Sequence, residues 1–264
     1  SHITLALPGF LLLLTCSKPI HQELMASHQH SSWNSYDIIK FDLKLSAKGE
    51  TRLEASFWLD PALSRARMQT VQGSTVIFDG SDFYSTGPET PGARFHVLTW
   101  PYFLALPYKL DDPGTIRKDM DPTLMENSYY PTMHLSFESG VGDTPDDWYI
   151  IYQDPDTNRL HGVAYIVTYG KDKEKAEDDP HAILYKQYEN FSGIPIATHW
   201  TFHYWNAPDP EQNPKNKNAE NKTPVRNDAN EDSTPAISKE VLMEARISNI
   251  VFYSKGTASN RNEV

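Results

Sequence analysis

The most constraining feature of the chain is a stretch of strict alternation. From Ile39 to Leu45 the residues Ile39, Phe41, Leu43 and Leu45 fall on one side and Lys40, Asp42 and Lys44 on the other. A period of two is the signature of a strand with one face on a core and one in water. A strand of this kind is not stable by itself and needs neighbours that bury the same face.

The neighbours follow at short intervals. Arg52 to Leu59 reads as a strand ended by Asp60-Pro61, Arg65 to Gln72 as another ended by Gly73, and Ser74 to Phe78 as a third ended by Asp79-Gly80. Further strands are expected at Tyr130 to Glu138, Trp148 to Gln153, Arg159 to Tyr169, Ala182 to Phe191, Ile196 to Tyr204 and Leu242 to Tyr253. Asp154-Pro155-Asp156-Thr157-Asn158 is turn chemistry between two of them. Repeated short strands separated by turn signals predict an antiparallel, mainly β fold rather than βαβ units. Helical spacing is confined to Pro19 to His30, with Ile20, Leu24 and Met25 on one side. The segment Thr99 to Leu110, TWPYFLALPYKL, is apolar but broken by Pro101 and Pro107, and predicts a short helix or lid. Lys171 to Asp179 is a charged run expected to be a solvated loop or short exposed helix.

Residues 207–238 are rich in Asn, Pro, Lys, Asp and Glu and nearly devoid of large apolar side chains. Such a segment buries too little to offset its ordering entropy, which predicts a disordered insertion. A single strand after it could not fold alone, so residues 17–264 are expected to form one domain.

The formal net charge of −11 argues against nucleic acid or an anionic lipid surface as the main partner. The single cysteine, Cys16, rules out an internal disulfide and a cysteine-based zinc site. His199 and His203 are four apart in a strand-like sequence, roughly 13 Å by strand rise, too far for one metal ion. His28 and His30 read as a polar helix end. No Gly-x-Ser-x-Gly elbow and no phosphate loop occurs, so neither a catalytic residue, a metal nor a cofactor is expected. An enzyme using His199, His203 or a buried carboxylate is the competing expectation, and a structural envelope protein without a small ligand is a third.

The N-terminus carries a different signal. Ile3 to Thr15 is an apolar run of the length of a signal-peptide core, too short for a comfortable membrane span. It ends at Leu13-Leu14-Thr15-Cys16, directly before polar sequence. That arrangement resembles a bacterial lipobox, although Thr15 stands where Gly, Ala or Ser is usual. Residues 1–16 are therefore expected to be an export signal, with Cys16 acylated and the protein anchored in the cell envelope, periplasm-facing, at the outer membrane before the inner.

Several phrases together resemble a known superfamily. The N-terminal helix, the run of strands, Val76-Ile77-Phe78-Asp79-Gly80, the Asp154 to Thr157 turn, and Tyr188 to Pro195 are similar to the outer-membrane-lipoprotein-sorting (LolA/LolB-like) proteins. Ala93-Arg94-Phe95-His96, Trp100-Pro101-Tyr102-Phe103 and Pro107-Tyr108-Lys109-Leu110 resemble an uncharacterised branch of bacterial, often Bacteroidetes, lipoproteins. The resemblance implies an incomplete antiparallel β-barrel, closed by short helices around an apolar cavity. It also implies a lipid or the acyl chain of a lipoprotein as partner, and no catalytic residue. Trp100, Tyr102, Phe103, Leu106, Trp200 and Phe202 are the expected hydrophobic ligand-binding residues.

Overall fold

A computed structural model describes residues 18–142, 144–207, 236–254 and 256. The export signal, Cys16 and most of the 207–238 segment lie outside the described residues.

Helix α1 (Ile20–Ser27) and the single turn α2 (His30–Trp33) lead into five strands: β1 (Tyr36–Ala47), β2 (Glu50–Leu59), β3 (Ala66–Thr70), β4 (Thr75–Phe78) and β5 (Phe83–Thr86). Helix α3 (Ala93–Ala105) follows, continued by a 3-10 turn at Leu106–Tyr108. Strands β6 (Thr115–Met125), β7 (Ser128–Phe137), β8 (Tyr149–Gln153) and β9 (Leu160–Tyr165) come next, then α4 (Lys173–Glu177). β10 (His181–Phe191), β11 (Ile194–Tyr204) and β12 (Met243–Ser254) complete the chain.

All twelve strands form one unclosed antiparallel sheet in the order β5-β4-β3-β2-β1-β12-β11-β10-β9-β8-β7-β6. Two meanders are thus sewn together where the first strand pairs the last, with Leu43 opposite Ile247 and Leu45 opposite Ala245. The alternation of Ile39 to Leu45 becomes burial as expected: Ile39, Phe41, Leu43 and Leu45 are buried, and Phe41 stacks on Phe57 of β2 at 5.0 Å between ring centroids. Mainly β, antiparallel and incompletely closed is the architecture the sequence predicts.

Both faces are covered, unequally. The large core joins β1–β3, β7–β12, α1 and α3. A smaller cluster on another part of the sheet gathers Met125, Tyr130, Ile150, Tyr152, Leu184 and Trp205 with Ala236 and Ile237. Ile237 bridges Trp205, and the Asn206 N–H donates to the Ala236 carbonyl at 2.7 Å. Ala236 and Ile237, expected as the end of a disordered insertion, are therefore packed parts of the fold: two small apolar side chains suffice once Trp205 offers a surface.

Other departures have local causes. α3 begins at Ala93, not Thr99, because Phe95 and Val97 extend the apolar stripe N-terminally and Gly92 supplies a left-handed backbone (φ 67°) before the first turn. β6 escapes sequence reading because its exposed pattern over Thr115 to Asp121 lacks a buried face. β5 is only four residues long and nearly all exposed.

Gly162 in β9 is required by close approach. A Cβ there would come within 2.7 Å of Met125 Sδ and 2.9 Å of the Ile183 carbonyl oxygen. The methionine can move, but the backbone oxygen belongs to the paired strand β10. Gly162→Ala is expected to destabilise the protein by roughly 1–3 kcal/mol, read as a shift in the urea unfolding midpoint.

Candidate functional site

The chain passes from β5 at one edge of the sheet to β6 at the other, and α3 lies on that path. Its side chains reach both halves of the sheet. α3 packs on β2, β3 and β4. Across from them, Trp100 meets Phe202 of β11 edge-on at 6.1 Å, Phe103 meets Tyr165 of β9 at 5.0 Å, and Tyr102 meets Tyr149 of β8 at 5.7 Å. The Tyr185 hydroxyl of β10 donates to the Phe103 carbonyl at 3.0 Å. Pro101 interrupts the helix ladder, since it has no N–H to offer the Val97 carbonyl.

Between α3 and the sheet lies a cavity of about 470 Å³. This lies within the ordinary range of small-molecule sites. Phe95, Leu98, Pro101, Tyr102 and Phe103 form its α3 wall. Ala66 and Phe78 come from one half of the sheet, Phe137, Tyr149 and Val167 from the other, and Leu63, Pro113 and Val141 from loops. The polar part of the lining is smaller: Ser64, Thr99, Lys109, Asp112, Thr115, Thr144 and Asp147, besides the tyrosine hydroxyls.

Asp147 stands out among these. It is 6% exposed, and its Oδ1 accepts from the Thr168 N–H at 2.8 Å and the Thr168 hydroxyl at 2.7 Å. Its Oδ2 accepts from the Thr144 hydroxyl at 2.7 Å. Burial raises its pKa above the ordinary carboxylate value, and neighbouring Asp146 adds to the rise. Burial likewise raises the Tyr102 and Tyr149 phenols, and the Asp147 charge adds to both. Lys109 is engaged elsewhere: it pairs with Asp112 and donates to the Ala62 carbonyl at 2.8 Å.

Of the six hydrophobic residues expected from sequence, Tyr102 and Phe103 line this cavity. Trp100, Leu106, Trp200 and Phe202 are buried in the adjoining core. Trp200 borders instead a much smaller void, shared with His28, Tyr108 and Tyr188. Sequence reading did not single out Phe78, Phe95, Phe137, Tyr149 or Asp147. Phe95 was legible in principle, lying one helical stripe from Leu98. Asp147 offered no signal, since Asp146-Asp147 reads as an ordinary acidic turn.

The histidine pair does not form a centre. His199 pairs with Glu244 of β12 at 3.2 Å, and its pKa is lowered by desolvation and by Arg246. His203 is held by Thr201 and by the Ser238 and Glu240 carbonyls. Among the described residues no cluster of His, Cys, Asp and Glu could hold a metal ion, and no helix is long and apolar enough to cross a membrane.

His28, expected as part of a polar helix end, is instead 1% exposed. It packs edge-on against Tyr108 at 5.9 Å and Tyr188 at 5.6 Å, and its Nε2 accepts from the Leu160 N–H at 3.0 Å. Its Nδ1 lies towards the Pro195 carbonyl without completing a hydrogen bond of ordinary geometry. The helix end is buried because Ser27 also donates to the Asn158 carbonyl at 2.7 Å, docking α1 on the β8–β9 turn.

Residues 96–209, from α3 past the end of β11, match the model of a family of unknown function, DUF6503. No curated protein matches the chain in sequence. Among solved structures it is similar to a LolA superfamily protein from Nitrosomonas europaea, at 7% identity and a TM-score of 0.47, covering 86% of this chain and 91% of the other. It is similar also to a DUF1329 family protein from Desulfovibrio piger, at 8% identity and a TM-score of 0.44, covering 89% and 94%. A domain from Vibrio parahaemolyticus described as an outer membrane lipoprotein-sorting protein gives 7% identity and a TM-score of 0.39, covering 92% and 96%.

Burial lowers the His28 pKa from 6.5 to about 3, with the Arg159 charge adding to the effect. A histidine depressed in the folded state contributes its stability above its unfolded value. That stability is lost as pH falls through 6.5 towards 3, because the unfolded chain takes up a proton the folded one refuses. The full difference is on the order of 5 kcal/mol. His28→Gln should therefore show a flatter dependence of unfolding free energy on pH between 6.5 and 4 than the native protein, measured by urea unfolding. Parallel curves would show that another group governs acid stability.

Proposed function

We propose that this protein binds an apolar ligand, the acyl chain of a lipid or lipoprotein, in the cavity beneath α3, and that it acts by holding the ligand rather than by catalysis. The observation that carries the reading is the cavity itself: an aromatic and aliphatic wall contributed by both halves of the sheet and by α3, with few polar groups. Each methylene placed there would contribute about 0.8 kcal/mol, so a chain of about ten or more overcomes the cost of association.

The enzyme reading is less well supported. It needs groups that converge on a substrate, whereas His199 and His203 are each committed to neighbours outside the cavity. Asp147 is the one buried carboxylate on the wall, and no described histidine lines the cavity with it.

The ligand site is tested by binding of the uncharged apolar fluorophore N-phenyl-1-naphthylamine and its displacement by dodecanol. Phe103→Asp sets a carboxylate among the apolar wall residues and is expected to weaken binding at least tenfold, while His199→Ala leaves it unchanged. Because a buried charge can also unfold the protein, Val167→Trp provides a second variant that fills the space without charge. Folded variants of both kinds that bind like the native protein would remove the site from the cavity.

We infer that the protein works from a membrane anchor, facing the periplasm, and at the outer membrane before the inner. The support is the apolar run before Cys16. Cys16 and Ile20, where α1 starts, are four residues apart, at most ~14 Å of extended chain. α1 is docked on the sheet, so an acylated Cys16 would hold the domain close to its membrane. Expressed with an intact export signal, Cys16→Ser is expected to move the protein from the membrane fraction to the soluble one. Retention of the variant on membranes would refute the anchor.

A further inference from the structure

We propose that the polar end of the ligand is an uncharged or cationic hydrogen-bond donor, a hydroxyl or an ammonium, received by the Asp147 carboxylate on the cavity wall. This rests on the reading of the cavity as the site of an apolar chain, and adds which head group that chain carries.

The first argument is one of acceptor capacity. A carboxylate offers about four lone-pair positions on its two oxygens. Oδ1 of Asp147 receives two donors, both from Thr168. Oδ2 receives one, from Thr144. One position on Oδ2 is left, on a side chain that borders the cavity and is 6% exposed. A buried acceptor gains most from a donor that arrives with the ligand.

Charge gives the second argument. Among the described residues no basic side chain forms an ion pair with Asp147. Lys109 is the only basic residue among the described residues of the cavity wall, and it is paired to Asp112, also on the wall, and to a backbone carbonyl. Among the described residues the wall thus carries two carboxylates and one lysine, a net negative lining. Burial of Asp147 is accompanied by a rise in its pKa, as expected for an anion without a counter-ion. A second negative charge brought beside it would be repelled. At a separation of about 8 Å, with the effective dielectric suited to such sites, the penalty corresponds to tenfold or more in affinity.

A polar groove next to the cavity offers the opposite choice. It shares Thr144 and Tyr169 with the cavity and carries Arg94, Lys171 and Lys173. These cations are engaged, Lys171 with Asp179 at 3.4 Å and Lys173 with Glu177 at 3.9 Å. Arg94 lies over the Phe83 ring at 4.4 Å. An anionic head directed outwards would have to compete with those partners, while a donor directed at Oδ2 of Asp147 competes with none.

The test compares three probes of one chain length, dodecanol, dodecylamine and dodecanoate. Each displaces the uncharged fluorophore N-phenyl-1-naphthylamine from the full protein at pH 8, below the critical micelle concentrations. The expected order places dodecanol and dodecylamine at roughly tenfold lower displacing concentration than dodecanoate. Asp147→Asn, with folding checked by circular dichroism, is expected to bring dodecanoate to within about threefold of dodecanol, and to weaken dodecylamine. If Asp147→Asn does not fold, the order of the three probes on the native protein decides alone. Equal displacement by all three, or a preference for dodecanoate, overturns the head-group assignment while leaving the cavity as the binding site. Failure of all three, with the fluorophore unbound as well, removes the cavity reading and this assignment with it.

Discussion

The connection between β5 and β6 sets the conditions for the rest of the structure, because it joins the two opposite edges of a twelve-stranded sheet. Laid flat, such a sheet would be about 53 Å wide at the usual strand spacing. A helix of thirteen residues rises only about 20 Å. α3 nevertheless touches β2, β3 and β4 on one side and, through Trp100, Tyr102 and Phe103, β11, β8 and β9 on the other. Both sets of contacts hold only if the sheet curls around the helix. The right-handed twist of antiparallel strands supplies that curl.

The cavity follows from the same mismatch. One helix of this length cannot fill the interior of a sheet with so many strands. Where α3 lies directly on the sheet, at Trp100 and Leu104, the interior is packed core joined to Phe202, Tyr165 and Tyr185. Where the helix face turns towards the loops at Leu63, Pro113 and Val141, space remains between it and the sheet residues Ala66, Phe78 and Phe137. The N-terminal helix does not fill that space because it is used elsewhere. Its His28, Ser27 and Glu23 are tied to Leu160, Asn158 and Gln153 around the β8–β9 turn. Trp33 just after it stacks on Tyr108 at 4.0 Å, which fixes the far end of the connection.

Period-two patterns made much of the sheet legible in sequence. Together with turn signals they found every strand except β5 and β6; the alternation of buried and exposed residues is clear in β1, whereas β8 is buried on both faces. They failed for β6, whose outer half faces solvent at the sheet edge, so that Ile116 and Met120 are exposed and carry no alternation. Helix α3 was half legible: Pro101 and Pro107 suggested a break, but the burial of Val97, Trp100 and Leu104 along one stripe outweighs the lost hydrogen bond. His28 was misread for a related reason. A polar residue at a helix end looks solvated until a partner from far along the chain, here Leu160, satisfies it.

The candidate site was less legible than the fold, and the reason is general. Pockets and cores draw on the same residues, so composition alone cannot separate Phe103, which faces the cavity, from Phe202, which faces α3. The distinction depends on a small offset between a helix and a sheet, set by contacts among residues far apart in the chain, such as Tyr185 and Phe103, 82 positions apart. Polar residues on the wall are harder still. Asp147 belongs to a run of turn-like sequence, and only the return of Thr168 to its carboxylate buries it. A negative charge held under cover by hydroxyls and an amide, with no cation beside it, destabilises the empty fold by a desolvation cost. A ligand that donates to it recovers part of that cost. The features that sequence could not show, the space under α3 and the charge on its wall, are therefore the ones that define what can bind there.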